Sequence, residues 1–179
     1  MRILLLVSSA IDRVNEKLSV IADAFVFLSC LISAGNAFSR YAFSLSSNAW
    51  LEIQWYMFGA LVMLGASYTL RRNEHVRVDI VYSNLSTRGQ IAIDILGGVL
   101  FLLPATIILA YLSWPVFYRS WAEGEISGNA GGLIRWPIKI FLPLGFTLLT
   151  LQGISELIKR VAMLTGQMKA DLHYERPLQ

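Results

Sequence analysis

Gly65-Ala66-Ser67-Tyr68-Thr69-Leu70-Arg71-Arg72-Asn73-Glu74-His75-Val76-Arg77-Val78-Asp79 is the stretch on which the fold turns. It lies between two long apolar segments. With Arg88, further along the same connection, it holds four of the fifteen Lys and Arg residues. Strongly polar side chains interleave there with Val and Ile, whereas most of the remaining chain reads as membrane helix or short connection. The composition points to a segment at the cytoplasmic membrane surface that joins one helical hairpin to the next.

The surrounding composition sets the class. The 179 residues are 55% hydrophobic and only 15% charged, with a mean hydropathy of +0.55; soluble domains carry about 25% charged residues. The charges fall between long apolar runs, as expected where lipid solvates most of the chain. A single cysteine, Cys30, sits inside an apolar run, which excludes an intramolecular disulfide and a paired-thiol metal site. The net charge of +3 and pI near 9.2 do not indicate nucleic acid. The basic residues are spread over three membrane-adjacent segments, the pattern of positive-inside anchoring.

The predicted fold is an all-α integral membrane protein with four transmembrane helices, an N-terminal amphipathic helix and a cytoplasmic interfacial linker helix. Residues 1–17 place Ile3, Val7, Ala10, Val14 and Leu18 at helical spacing, with Ser9, Asp12, Arg13 and Glu16 largely opposite. The run Ile3–Val7 is too short for the apolar core of a signal peptide. The membrane domain is predicted over 18–161, with spans at about 18–38, 49–70, 91–114 and 138–158, and a polar tail over 162–179. Each span has roughly the 20 residues that cross about 30 Å of hydrocarbon. Eleven Lys and Arg residues fall on the side of the termini and of the connection after the second span, and four (Arg40, Arg119, Arg135, Lys139) on the other. Both termini are therefore predicted to be cytoplasmic.

All five tryptophans fall on the opposite side: Trp50, Trp55, Trp114, Trp121 and Trp136. They read either as an aromatic belt at the headgroups or, in part, as a surface for another protein. Pro104 is predicted to kink the third span and Pro115 to mark its exit. Pro137 suits a first helical position, and Pro143 is predicted to bend the early part of the fourth span. The connection Arg119–Arg135, with Glu123, Glu125 and Gly128-Asn129-Ala130-Gly131-Gly132, is the longest external one and the most irregular.

Ionisable residues within spans are costly, so each invites a functional reading. Glu52 is expected to meet Arg40 across the external turn, Glu156 has Lys159 and Arg160 at helical spacing, and Asp94 lies on the side of Arg71 and Arg72. These, with Gln152, are expected near hydrated interfaces. Asp23 stands alone one or two turns into the first span. It raises the alternative of a self-sufficient proton-coupled antiporter, against a role in bundle packing or hydration from the inside. His75 and His173 form no helical pair, so haem ligation within the bundle is unsupported and no cofactor is predicted; a membrane-anchor subunit of a redox enzyme is a further alternative. No phosphate loop, nucleophile elbow or zinc spacing occurs, and no catalytic residue or metal ligand is assigned.

The run from Gly59-Ala60 through Gly65 to Asp79 resembles the signature of the small membrane subunit of TRAP (tripartite ATP-independent periplasmic) transporters, the DctQ type. The resemblance extends to Glu52-Ile53-Gln54-Trp55-Tyr56, to Gly131-Gly132-Leu133-Ile134-Arg135-Trp136-Pro137 and to Leu151-Gln152-Gly153, and covers residues 15–165. It implies a non-catalytic scaffold beside a large membrane subunit of the DctM type. That large subunit would carry an organic acid inward with sodium after a periplasmic solute-binding protein captures it. Glu52, Trp55, Arg71, Arg72, Glu74, His75, Arg77 and Asp79 are the candidates for contact with the large subunit or with membrane lipid. Trp121, Glu123, Glu125 and Arg135 are candidates for contact with the binding protein.

Overall fold

In the computed structural model, which describes residues 1–75, 82 and 85–168, the chain is helical almost throughout. The elements are α1 (Arg2–Phe43), α2 (Asn48–Arg72), α3 (Thr87–Gly97), a π-helical segment (Gly98–Leu102), α4 (Leu103–Ala122), the short α5 (Trp136–Lys139) and α6 (Phe141–Leu164). α6 lies at the centre and packs against α1, α2, α3 and α4, whereas α4 packs mainly on α6. Among the described residues, three rods are long and apolar enough to cross a membrane: Arg2–Phe43, Thr87–Ala122 and Trp136–Leu164. α2 has the length, at 25 residues, but Gln54, Trp55, Tyr56, Ser67, Tyr68 and Thr69 lower its mean hydropathy.

The burial pattern is inverted relative to a water-soluble bundle. Apart from Leu64 and Ile91, most buried positions are small or polar, including Ser8, Asn15, Ala22, Ser29, Ala60, Ser67, Thr106, Ser155 and Ala162, while Ile3, Phe27, Phe101, Tyr111 and Leu112 face outward. Without a hydrophobic drive between helices in lipid, close packing of small residues and interhelical hydrogen bonds hold such bundles together. Gly145 shows the closeness required: a Cβ there would lie 2.6 Å from the Cβ of Met63. At Gly98 a Cβ would lie 2.8 Å from Leu157. The same logic turns α1 outward side out. Ile3, Val7 and Val14 of its predicted apolar face are exposed, and Ser8, Asp12 and Asn15 face the bundle.

Several boundaries differ from the sequence expectation. The amino-terminal segment and the first expected span form one unbroken helix of 42 residues rather than two elements, because no Gly or Pro interrupts Arg2–Ala34. Pro115 lies inside α4, which continues to Ala122 instead of ending there. Pro104 acts through the π-helical turn before it. Its ring has no N–H and crowds the carbonyl four residues back, Leu100, and the widened turn accommodates this with the Leu103 N–H bonded to the Gly98 carbonyl. Pro143 acts likewise: its i−4 residue is Lys139, and the helix is interrupted at Ile140 between α5 and α6. Pro137 lies in the first turn of α5, as its position suggested.

A polar layer joins α1, α2 and α6. The Asn15 amide donates to Gln152 Oε1 at 2.6 Å and Ser67 Oγ donates to Asn15 Oδ1 at 3.0 Å. Gln152 Nε2 donates to Asp12 Oδ1 at 2.9 Å and to Glu156 Oε1 at 3.0 Å. Lys159 bridges Asp12 Oδ2 at 3.1 Å and Glu156 Oε1 at 2.5 Å, and the hydroxyls of Ser8 and Ser155 lie 2.7 Å apart. Gln152 is wholly buried here, not near a hydrated interface as its position in the span suggested. Its carboxamide reaches α1 across the bundle, and Gly153 beside it admits Leu102 and Leu103 closely on the other face. These contacts also place the start of α1 and the end of α6 at the same end of the bundle.

Gln152 holds three partners, so its loss orphans the Asn15 amide. Gln152→Leu is expected to destabilise the protein by about 1–3 kcal/mol. Ser67→Ala, which removes one interhelical hydroxyl bond, is expected to cost about 0.6 kcal/mol. Reversible unfolding in mixed micelles, followed by circular dichroism, measures both; equal effects would show that Gln152 is not the hub.

Candidate functional site

The two ends of the bundle carry the polar residues singled out in the sequence. At the signature end, α2 stops at Arg72 because Asn73 adopts the left-handed conformation (φ 58°) that terminates helices, its N–H returning to the Leu70 carbonyl at 3.1 Å. Arg71 turns inward. Its Nη1 donates to the Asp12 carbonyl at 3.1 Å and approaches Glu16 at 3.3 Å. Arg72 turns outward and folds over its own turn, Nε donating to the Tyr68 hydroxyl at 2.9 Å with the guanidinium 5.4 Å from that ring. Glu74 and His75 are exposed just beyond. Arg77 and Asp79, with most of the expected linker helix, lie outside the described residues, as does His173.

Asp94 lies at the same end as Arg71 and Arg72, as expected, but pairs with Arg160 (3.3 Å) and accepts from the Tyr82 hydroxyl (3.1 Å) rather than pairing with either arginine. The reason is that α3 packs on α6, while Arg71 is drawn to the carboxylates of α1. The side chains of Arg160 and Asp94 are only 10% and 12% exposed. Removing one partner of so buried a pair costs about 3–5 kcal/mol, so this ion pair ties α3 to α6. Beside it runs a groove of about 320 Å³ between α2, α3 and α6, lined by Leu70, Ile93, Gly97, Leu102, Leu157 and Arg160 among others.

At the other end the connection between α4 and α5 closes over Glu52. Ile126 and Ile134 form an antiparallel bridge, with the Ser127 N–H donating to the Leu133 carbonyl (2.9 Å) and the Arg135 N–H to the Glu125 carbonyl (2.8 Å). Inside this loop, Glu52 Oε1 accepts from Ser127 Oγ and from Asn129 Nδ2 (2.7 Å), and Oε2 accepts from the Leu133 N–H (2.7 Å). Glu52 is thus buried and held by the loop, not paired with Arg40; the latter stacks on the neighbouring Tyr41 ring at 5.7 Å. Asn48 Nδ2, donating to the Ala130 carbonyl at 3.0 Å, adds a second tie from α2 to the same loop. Ser127 and Asn129 were not singled out in the sequence. The only signal there was their place in a glycine-rich run, which marks a loop but not what the loop binds.

The loop carries most of the outer candidates. Trp121, Glu123, Ile126 and Ile134 are exposed, and Trp55 is exposed on α2 nearby in sequence to Glu52. Glu125 is engaged by Lys139 and lies 3.7 Å from Arg135. The hydrogen bond from Lys139 holds the Glu125 carboxyl below its ordinary value of 4.5. Asp23 lies elsewhere: it faces out of the bundle from the middle of α1, where insertion of an aspartate into hydrocarbon costs about 3 kcal/mol. Among the described residues, no group of three or more His, Cys, Asp or Glu side chains is arranged to hold a metal ion.

A folded-state pKa lowered in Glu125 means that its contribution is full above the unfolded value of 4.5 and is lost as pH falls through the folded value beneath it. Lys139→Met is expected to move that loss to higher pH, read as earlier proteolytic nicking of the loop on acidification. Glu52→Gln is expected to expose the Leu133 amide to faster hydrogen exchange, by about tenfold, since a charge-assisted bond becomes a neutral one. Unchanged protection at Leu133 would mean that the loop holds itself.

No curated protein matches the chain closely enough to count as a relative. The family model for tripartite ATP-independent periplasmic transporters, DctQ component, matches residues 29–163, a region that includes Glu52 and its loop, the Arg71–Asn73 helix end, and the Asp94–Arg160 pair. With three quarters of its length within that match and an all-helical, lipid-facing bundle around it, the chain belongs to the DctQ component family of tripartite ATP-independent periplasmic transporters.

Proposed function

We propose that the chain is the non-catalytic small subunit of a sodium-coupled, binding-protein-dependent importer of an organic acid. Its partners are a large DctM-type membrane subunit, a periplasmic solute-binding protein and membrane lipid. In this reading all four rods cross the bacterial inner membrane, with the signature end and both termini in the cytoplasm and the Glu52 loop in the periplasm. The small subunit steadies the fixed part of the transporter while the large subunit moves the solute.

One observation carries the scaffold role. Among the described residues, every ionisable group facing the bundle interior is already hydrogen-bonded or ion-paired to another part of the same chain: Asp12 and Glu156 to Lys159, Asp94 to Arg160, Glu52 to its loop. A coupling site must bind and release its ion, and side chains consumed in mutual neutralisation stabilise a fixed geometry instead. The antiporter alternative needs an acid within the bundle, and Asp23 faces outward. For the partners, the exposed Arg72, Glu74 and His75 offer contacts at the cytoplasmic end, together with Arg77 and Asp79. Trp55 offers a contact to the large subunit or to lipid, and Trp121, Glu123, Glu125 and Arg135 offer a surface to the binding protein.

In proteoliposomes, uptake of labelled organic acids is expected only when this chain, the large subunit, the binding protein and a sodium gradient are all present. Transport by this chain alone, lost in Asp23→Asn, would establish the antiporter instead. Arg72→Glu is expected to lower recovery of the large subunit on affinity purification without lowering the amount of this chain in the membrane.

A further inference from the structure

Among the described residues, α2 and the rod Thr87–Ala122 both pack on α6 but scarcely meet each other. The groove of about 320 Å³ lies in the gap that this leaves. Its polar residues, Asn73, Tyr82, Asp94, Glu156 and Arg160, belong to the signature end, and its apolar wall runs from there past Leu70, Ile93 and Leu157 to Leu102 and Gly153. Leu102 follows Asp94 by eight residues and Gly153 precedes Arg160 by seven. At about 1.5 Å per residue, the apolar part therefore reaches about 10–12 Å from the charged rim toward the middle of the bundle.

The walls select what can fill it. A held water needs about two to four polar partners, whereas the deep end is Leu, Ile and Gly, and the rim groups bond one another: Asp94 with Arg160 and Tyr82, Glu156 with Lys159 and Gln152. A closely docked helix needs a row of small residues. Gly98 and Gly153 are already covered, the first by Leu157 and the second by Leu102 and Leu103, which leaves Gly97, where an added Cβ would meet nothing within 4 Å. The remaining aliphatic wall suits a flexible hydrocarbon chain, and an empty groove would forfeit dispersion contacts along its length. Ile93 on that wall is 43% exposed, so the gap communicates with whatever surrounds the bundle.

We propose that the groove between α2, α3 and α6 is a binding site for one acyl chain of a membrane phospholipid. The chain lies against Leu70, Gly97 and Leu157, and the headgroup stays at the signature end beside Asn73. Because the charges of the rim are paired within the protein, the site recognises the chain and not the charge of the headgroup. An apolar pocket with a few polar groups at one end is the usual form of a site for such an amphiphile. The assignment gives a place to the membrane lipid named above among the partners. It rests on that part of the reading alone and requires neither the large subunit nor the binding protein.

The test places the full chain in vesicles of phosphatidylethanolamine and phosphatidylglycerol with a trace of a phospholipid carrying a diazirine midway along one acyl chain. After illumination, labelled residues are mapped by mass spectrometry. Labelling of Leu70, Leu102 and Leu157 is expected to exceed that of Tyr111 and Leu112, which face outward on α4. Gly97→Phe, whose ring enters open space in the groove, is expected to abolish that excess, Gly97→Ala to retain it, and label on Leu112 to stay the same in all three proteins. Equal labelling of the groove and of α4 in the wild-type protein would overturn the assignment, leaving boundary lipid only. Persistence of the excess in folded Gly97→Phe would overturn it too. Should the ring disturb the bundle, Gly97→Leu takes its place, and the wild-type comparison decides without any substitution. A reconstituted three-component system that imports no organic acid would sink the importer reading and leave this result untouched.

Discussion

The interaction between Asn15 and Gln152, with Asp12 and Lys159 beside it, is the constraint around which this bundle is arranged. In lipid, two apolar helices gain little by turning hydrophobic faces to one another, since hydrocarbon solvates those faces equally well. A carboxamide or a carboxylate, by contrast, has no acceptable position except against another polar group. Asn15 on α1, Gln152 on α6 and Ser67 on α2 therefore select one rotation of each helix about its axis. Once those rotations are set, the small residues Ala22, Ala60 and Gly145 fall at the crossings and the large apolar residues fall outside.

Charge neutralisation extends the same principle to the ends. Lys159 sits between Asp12 and Glu156, and Arg160, the next residue on α6, reaches the opposite way to Asp94 on α3. Two consecutive cations thereby fasten two different helices to the central one. At the far end Glu52 performs the reciprocal task, a carboxylate on a helix accepting from side chains and a backbone N–H of a loop that otherwise has a single β-bridge to shape it. The result is a body whose buried carboxylates are each neutralised or hydrogen-bonded from within.

Much of this was legible in the residues themselves. Hydropathy and length establish the helical rods, and the order of Gly65 to Asp79 with Glu52 and Gly131–Pro137 carries the family. Those are one-dimensional properties, since transfer into lipid sums over consecutive residues and a family signature is read in order along the chain. Proline chemistry was legible in kind but not in consequence. The clash with an i−4 carbonyl was foreseeable at Pro104 and Pro143, whereas a π turn at one and an interruption at the other depend on what packs against each.

What tertiary structure alone decided is the pairing. Sequence spacing proposed Glu52 with Arg40 and set Asp94 on the side of Arg71 and Arg72 without naming Arg160, because linear reading favours partners close in the chain or on the same side of the membrane. The observed partners of Glu52 lie more than seventy residues away, and Asp12, placed on the polar face of a surface helix, proves to be a half-buried anchor for Lys159. Helix rotation makes the difference. The direction in which a side chain points is set by the whole set of interhelical contacts, and no local window of sequence contains them. The sequence alone therefore determines that the chain is a helical membrane protein of a known family, and only the fold determines which polar groups hold it together.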